Sequence, residues 1–355
     1  MPGGNDWLAQ TSEETLEPEI PICDPHHHFW VTRPEPLHYQ RYLLPELSED
    51  VDCGHNVKST VFIEVHCEYR SDGPDEMKPV GEVEYIQTIA DSAASGPTKA
   101  AAGIIGHADL KLGEGVRPVL EAMQAASPNR FRGVRHSVGY DESPELANRD
   151  IKGALGTDGY RAGAKVLSSL GLVLENSLYF HQLSELADFA KAVPELPIVL
   201  NHIGGLLRVG PYANRDDEVI PEWRKGVEEV AKCPNIIMKL GGVGQLRYGY
   251  YWHDRETAIG SEELAQELSP LMEHCIQQFG PSRCMFESNF PVDKISYSYN
   301  VIYNAFKRLS QGYSKSERAD MFHDTAARVY NISCLLYTSD AADERSSVDL
   351  GGRRI

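Results

Sequence analysis

The sequence predicts an α/β fold in which eight parallel strands alternate with helices and close into a (β/α)8 barrel, a single domain. Three observations carry that expectation. Eight short apolar, β-rich runs are interleaved with helix-like stretches, and near-continuously apolar strands between helices belong to parallel sheets covered on their outer face. Titratable residues gather at the C-terminal ends of those runs, where barrels of this kind build their sites. The length, 355 residues, could hold two average domains, but a barrel takes about 250 residues as one unit.

In chain order, the first run is Ile20-Pro21-Ile22-Cys23. The next six span 60–66 (TVFIEVH), 101–107 (AAGIIGH), 131–137 (FRGVRHS), 171–174 (GLVL), 197–202 (PIVLNH) and 235–240 (NIIMKL), and the eighth opens at Cys284. Helices are expected over 81–94, 115–126, 158–170, 182–192, 218–232 and 261–279, then over 298–309 and 314–330. The last opens on Ser314-Lys315-Ser316-Glu317, the pattern in which a Ser hydroxyl and a Glu carboxylate cap each other's backbone N–H. The structural rival is an open doubly wound sheet, which would carry a Gly-rich phosphate loop after an early strand. Gly241-Gly242-Val243-Gly244 follows the seventh run instead and lacks a helix start, so it reads as a turn.

Residues 1–19 are polar and acidic and read as a flexible N-terminal segment, with neither the basic nor the apolar region of a secretory signal. Residues 20–332 form the expected barrel. Periodicity ends near Asn331, and residues 333–355 form a tail with no amphipathic pattern. Its stretch Cys334-Leu335-Leu336-Tyr337-Thr338-Ser339 and beyond looks like translated sequencing-adaptor read-through, expected to be poorly ordered and without a functional role.

No run of about 18 apolar residues exists, so no membrane span is expected. A formal charge of −18 argues against nucleic acid and for a soluble, self-repelling surface. Seven cysteines at irregular spacings point to reduced thiols in a cytoplasmic protein. Cys23 and Cys284 read as small buried apolar residues, with metal ligation the alternative. The expected partner is a small-molecule substrate, and a homo-oligomer stays open.

Two motifs concentrate the chemistry. In Asp24-Pro25-His26-His27-His28, side chains two apart share a strand face, so His26 and His28 point one way and His27 the other. In Phe286-Glu287-Ser288-Asn289-Phe290-Pro291, Glu287 and Asn289 share a face if the strand stays regular. Closure of the barrel would make these two strands neighbours. His202 reads as a site residue or as a satisfied histidine at a loop start. Arg135 could hold a carboxylate or polarise a carbonyl through its planar fork, or brace the rim. Glu64 lies among apolar residues, and a buried carboxylate must be paired or metal-bound to stay ionised. His66, His107 and Lys239 read as wall or rim, and His136 as facing outward onto a helix. Two loops remain for substrate selection, one with Tyr69 and Arg70, the other with Arg247, Tyr250 and Trp252. Their rings could stack on a substrate ring, form a dimer contact or pack down as a lid.

Four motifs in register carry a family resemblance. DPHHHFW from Asp24, FRGVR from Phe131, VLNHIGG from Val199 and SNFPVD from Ser288 resemble the amidohydrolase-related family, the branch with sugar lactonases and 2-pyrone-4,6-dicarboxylate lactonase. The match runs from about Pro21 to Ile332. It implies a distorted TIM-type barrel and hydrolysis, most often of a lactone. His26 and His28 match the first-strand H-x-H, His202 the sixth-strand histidine and Arg135 a fourth-strand arginine that acts on substrate. His181 lies close to a fifth-strand histidine, shifted by one residue.

One departure stands out. Many relatives end the eighth strand on an Asp that binds metal or serves as base, whereas Asn289 stands here, and a neutral amide cannot take a proton from water. Glu287 occupies their Gly. The expectation is that Glu287 supplies the missing carboxylate, with Asp293 as the second choice of general base and a structural ion pair as the bland alternative. His26, His28 and Glu287 would then suit one Zn²⁺ or Mn²⁺ with an open position, and a metal-free site stays equally open. The predicted activity is lactone opening by water attack on the carbonyl. Its rivals are a metal-dependent decarboxylase of the same superfamily and a barrel that binds ligand without turnover.

Overall fold

A computed structural model describes residues 4–33 and 39–332 of the chain; the 333–355 tail lies outside the described residues. Eight parallel strands run in sequence order: β1 (Pro21–His27), β2 (Asn56–Ile63), β3 (Lys99–Gly106), β4 (Phe131–Arg135), β5 (Val173–Asn176), β6 (Ile198–Leu200), β7 (Ile236–Gly241) and β8 (Cys284–Glu287). Regular pairing links each strand to the next. The ring is joined between its ends by a single parallel bridge, His27 to Phe290. There the Asn289 N–H donates to the His26 carbonyl (2.9 Å) and the His28 N–H to the Phe290 carbonyl (2.8 Å). The opening and closing motifs therefore lie side by side, in a barrel that is distorted rather than regular.

Expected helices recur within a few residues: Val80–Ser92, Arg117–Ala126, Asp158–Ser169, Leu183–Ala192, Asp216–Ala231, Ser261–Phe279 and Tyr299–Leu309. The last stretch divides into Lys315–Ala319, a π-helical turn over Asp320–Asp324, and Thr325–Val329. Ser314 and Glu317 form the expected capping box. A helix over Leu44–Val51 joins β1 to β2 and had no clear signal in the sequence.

Several strands stop earlier than their apolar runs. β2 ends at Ile63, before Glu64 and His66, because His66 turns to φ 60°. β6 ends at Leu200, and His202 lies in the left-handed region at φ 53°. β8 ends at Glu287, and Asn289 takes φ 56°. The strand thus does not stay regular past Glu287, which separates the environments of positions 287 and 289.

The barrel interior holds Cys23, Val61, Ile63, Ile105, Val173, Val199 and Met285, joined from the C-terminal helical run by Ala326 and Tyr330. The larger core lies between strands and helices, as the apolar faces of both require. Within the N-terminal segment, Trp7 is buried, its indole N–H shared between the Arg255 and Glu256 carbonyls, and Glu13 accepts the Ser261 N–H. No disulfide joins the described cysteines, and no helix among the described residues is long and apolar enough to cross a membrane.

Candidate active site

Asp24 ties the two motifs together. One carboxylate oxygen accepts the Ser288 hydroxyl at 2.6 Å and the Tyr299 hydroxyl at 3.1 Å; the other accepts the Ser288 N–H at 3.0 Å. Burial raises its carboxyl to about 6 against the pull of these donors. With Asp24 clamped to Ser288, the histidines beyond it are delivered to the end of β8.

His26 and His28 share a face, their Nε2 atoms 3.2 Å apart, while His27 turns away to Thr60 at 2.9 Å and packs on Phe29. The His28 Nδ1 lies 2.8 Å from the Ile63 carbonyl. A carbonyl only accepts, so that nitrogen carries the hydrogen and Nε2 is left as a lone pair. The ring of His26 lies 4.6 Å from that of His202.

Glu287 stands between them. Its Oε1 accepts the His202 N–H at 3.1 Å and faces His202 Nδ1 at 2.7 Å. Its Oε2 lies 2.6 Å from His26 Nδ1, yet no donor is aligned on it, so it is a buried oxygen without a hydrogen bond. Glycine at the end of β7 and just after it makes room for this group. A side chain at Gly242 (φ 66°) would place its Cβ 1.8 Å from His202 Nδ1, and one at Gly241 would fall 2.6 Å from Glu287 Cγ. The turn read from these glycines is thus also the space in which His202 and Glu287 meet.

Cations surround the cluster. Lys239 lies fully buried on β7, with Nζ 3.3 Å from His26 Nδ1 and 2.7 Å from a Glu175 oxygen. Glu175 in turn accepts the Asn201 amide at 2.7 Å and the Tyr330 hydroxyl at 2.6 Å. Arg135 donates from Nε to Glu64 Oε1 (2.7 Å) and from Nη2 to the Glu64 carbonyl (2.5 Å), which leaves Nη1 3.4 Å from His26 Nε2. Burial, with Lys239, Arg135 and Arg247 nearby, holds His26, His28 and His202 well below the usual imidazole range. They are neutral at pH 7. Burial pushes the Glu287 carboxyl up to about 8, with Glu175 adding to the effect and Lys239 opposing it.

The remaining expected residues fall in different places. Asn289 donates its amide to Asp293 Oδ1 at 2.7 Å, away from the histidines. Asp293 also accepts the Tyr297 hydroxyl (2.6 Å) and the Gly244 N–H (2.8 Å); burial raises it to about 7 against these bonds. Its oxygens are thus held by structural donors. His181 meets the Tyr140 carbonyl at 3.0 Å and stacks on Tyr212. Tyr69 bonds His66, and Arg70 pairs with Glu84 on the surface. Trp252 is buried, stacked on Tyr250 at 4.1 Å with its indole N–H on Glu267, so this part of the loop is packed down. Arg247 differs: its Nε is buried without a partner, and its charge reaches His202. His136 faces outward, its Nε2 on Asp150 at 2.9 Å and its ring against Tyr160.

Sequence reasoning missed Asp24, Ser288, Glu175 and Tyr330 as parts of the assembly, and it placed Lys239 only on the wall. Asp24 and Ser288 lie within the two motifs, which is a signal the sequence carries. Tyr330 has no such signal.

His26, His202 and Glu287 offer ligand atoms all within 4.8 Å of one another. Two neutral imidazoles and a carboxylate oxygen without a hydrogen bond are a donor set that fits a single divalent ion.

Known proteins agree with this architecture. The chain is 24% identical over 330 residues to L-rhamnono-gamma-lactonase of Scheffersomyces stipitis, covering 84% of this chain and 92% of that protein. It is 23% identical over 273 residues to L-fucono-1,5-lactonase of Burkholderia multivorans, covering 73% and 86%. A crystal structure of a Burkholderia multivorans amidohydrolase with bound zinc superposes with a TM-score of 0.68 at 21% identity, over 88% of this chain and 99% of that one. The family model described as amidohydrolase matches residues 23–332, and the chain therefore belongs to the amidohydrolase family.

Proposed function

We propose that this barrel is a hydrolase that opens a lactone by attack of water on the ring carbonyl. One observation carries the reading: a buried carboxylate, Glu287, set between two neutral histidines with one oxygen unpaired and a guanidinium close by. In its ionised form Glu287 takes a proton from water as the oxygen attacks. Arg135 Nη1 donates to the oxyanion that develops on the carbonyl oxygen. The tetrahedral intermediate collapses with cleavage of the ring C–O bond, and the proton held on Glu287 passes to the departing alkoxide. The product is a hydroxy acid, whose carboxyl releases a proton at neutral pH. Arg247, its Nε without a partner and its charge reaching His202, binds a carboxylate or hydroxyl of the substrate.

If a divalent ion is bound, His26, His202 and Glu287 would hold it, and it would supply Lewis-acid polarisation of the carbonyl. The lactonases among the relatives support a lactone over other esters. The test is acid release from a panel of sugar and dicarboxylate lactones in a pH-stat, before and after metal stripping. Hydrolysis of at least one lactone, slowed about 10²–10⁴-fold in Glu287→Gln, is expected. Loss of CO₂ without acid release from any lactone would overturn the reading.

A further inference from the structure

A second group of ligand atoms stands on the other side of Arg135. Glu64, His66 and His107 follow β2 and β3, and their ligand atoms lie within 4.8 Å of one another. The Glu64 side chain is only 3% exposed and its two oxygens differ sharply. Oε1 accepts Arg135 Nε, whereas Oε2 is buried with no hydrogen-bond partner, 3.3 Å from His66 Nε2. A buried, unpartnered carboxylate oxygen costs free energy unless something fills the space before it.

His107 is oriented to present a lone pair, and one tautomer of His66 does the same. His107 Nδ1 lies 3.1 Å from the Arg135 carbonyl. The carbonyl can only accept, so Nδ1 carries the hydrogen and Nε2 is unprotonated. His66 Nδ1 lies 2.8 Å from the Tyr69 hydroxyl, which accepts when the hydrogen sits on Nδ1 and Nε2 is free. Fixing Nδ1 by an outer oxygen so that Nε2 is free is how proteins prepare histidines for metal. The two rings lie 4.9 Å apart. His66 is held at φ 60°, a conformation that is strained for a non-glycine residue and persists where the surroundings demand it. Its side chain is 58% exposed, so the group opens to solvent.

We propose that Glu64, His66 and His107 form a second divalent-cation site, separate from His26, His202 and Glu287 and open to solvent at His66. Two imidazoles and a carboxylate suit Zn²⁺ and leave coordination positions open for water or for an oxygen of a ligand. Arg135 lies between the two groups, bonded to Glu64 on one side and reaching His26 on the other. The proposal does not depend on the lactonase reading, because its readout is metal binding.

The experiment loads chelator-stripped full-length protein with Zn²⁺ and counts bound equivalents by equilibrium dialysis and elemental analysis. Co²⁺ absorption reports the ligand field, and far-UV circular dichroism verifies that each variant is folded. His66→Ala and His107→Ala are each expected to lose one equivalent or to weaken one site by at least about tenfold. Glu287→Gln should leave that equivalent in place. A wild-type protein that binds no ion, or histidine variants that match the wild type in stoichiometry and affinity, would overturn the proposal.

Discussion

Glu287 sits where a carboxylate has most to gain from staying protonated and most to do once ionised. Buried between His26 and His202, its carboxyl is pushed up to about 8. As a general base it must be ionised, so kcat/KM should climb with pH and level off above about 8. In Glu287→Gln turnover should fall about 10²–10⁴-fold and this limb should vanish; near-normal turnover would remove the carboxylate from the chemistry. Stability should respond with the opposite sign. Between the unfolded value of 4.5 and the folded value of about 8, the folded state binds more protons than the unfolded chain, so this group destabilises the fold progressively as pH rises. Gln carries no such dependence. Melting temperatures of wild type and variant across pH 4–9 should therefore converge or cross in the variant's favour toward alkaline pH. A constant difference would contradict the buried, raised carboxyl.

Among the elements, the β7 turn and the end of β6 act as one unit. His202 is delivered by a left-handed backbone at φ 53°, and Gly242, itself at φ 66°, provides the space its ring occupies. Gly242→Ala must displace His202 or distort the turn. Left-handed backbone alone costs a residue with a Cβ about 1–2 kcal/mol. The variant should lose at least that much in urea unfolding, and kcat/KM should fall along with it. Full activity would mean that His202 has no part in catalysis. The strands themselves were readable because buried parallel strands need continuous apolar side chains, and all eight apolar runs became strands. Their ends were not readable, since His66, His202 and Asn289 leave the extended conformation where hydrogen bonds outside the strand outweigh propensity. The helix over Leu44–Val51 leaves little sequence signal because it is short and begins Leu-Pro-Glu, with no polar cap residue ahead of it.

Across the whole molecule, the chain's last described helices reach the barrel interior. Tyr330 donates to Glu175, Glu175 holds Lys239, and Lys239 faces His26. This links the C-terminal helical run to the histidine cluster through the barrel core. Tyr330→Phe would leave Glu175 Oε1 buried without its donor, a loss of about 1–3 kcal/mol measurable by denaturant unfolding. A change below about 0.5 kcal/mol, as at an ordinary surface position, would show that the hydroxyl is not needed there. The net charge of −18 gives no hint of this interior, where Lys239, Arg135 and Arg247 place positive charge around neutral imidazoles.

What the sequence determined by itself was the alternation of apolar strands and amphipathic helices, and with it the barrel and the pairing of its first and last motifs. Periodicity is local, and the closed ring follows from it because eight covered parallel strands favour that ending. The histidine pair and the Glu287 carboxylate were legible for the same reason, as polar side chains at strand ends. That Asn289 turns to Asp293, that Gly242 houses His202 and that Tyr330 enters the core from late in the chain follows from tertiary packing. Each depends on contacts between residues distant in sequence, or on a left-handed backbone at one position, and neither leaves a periodic trace.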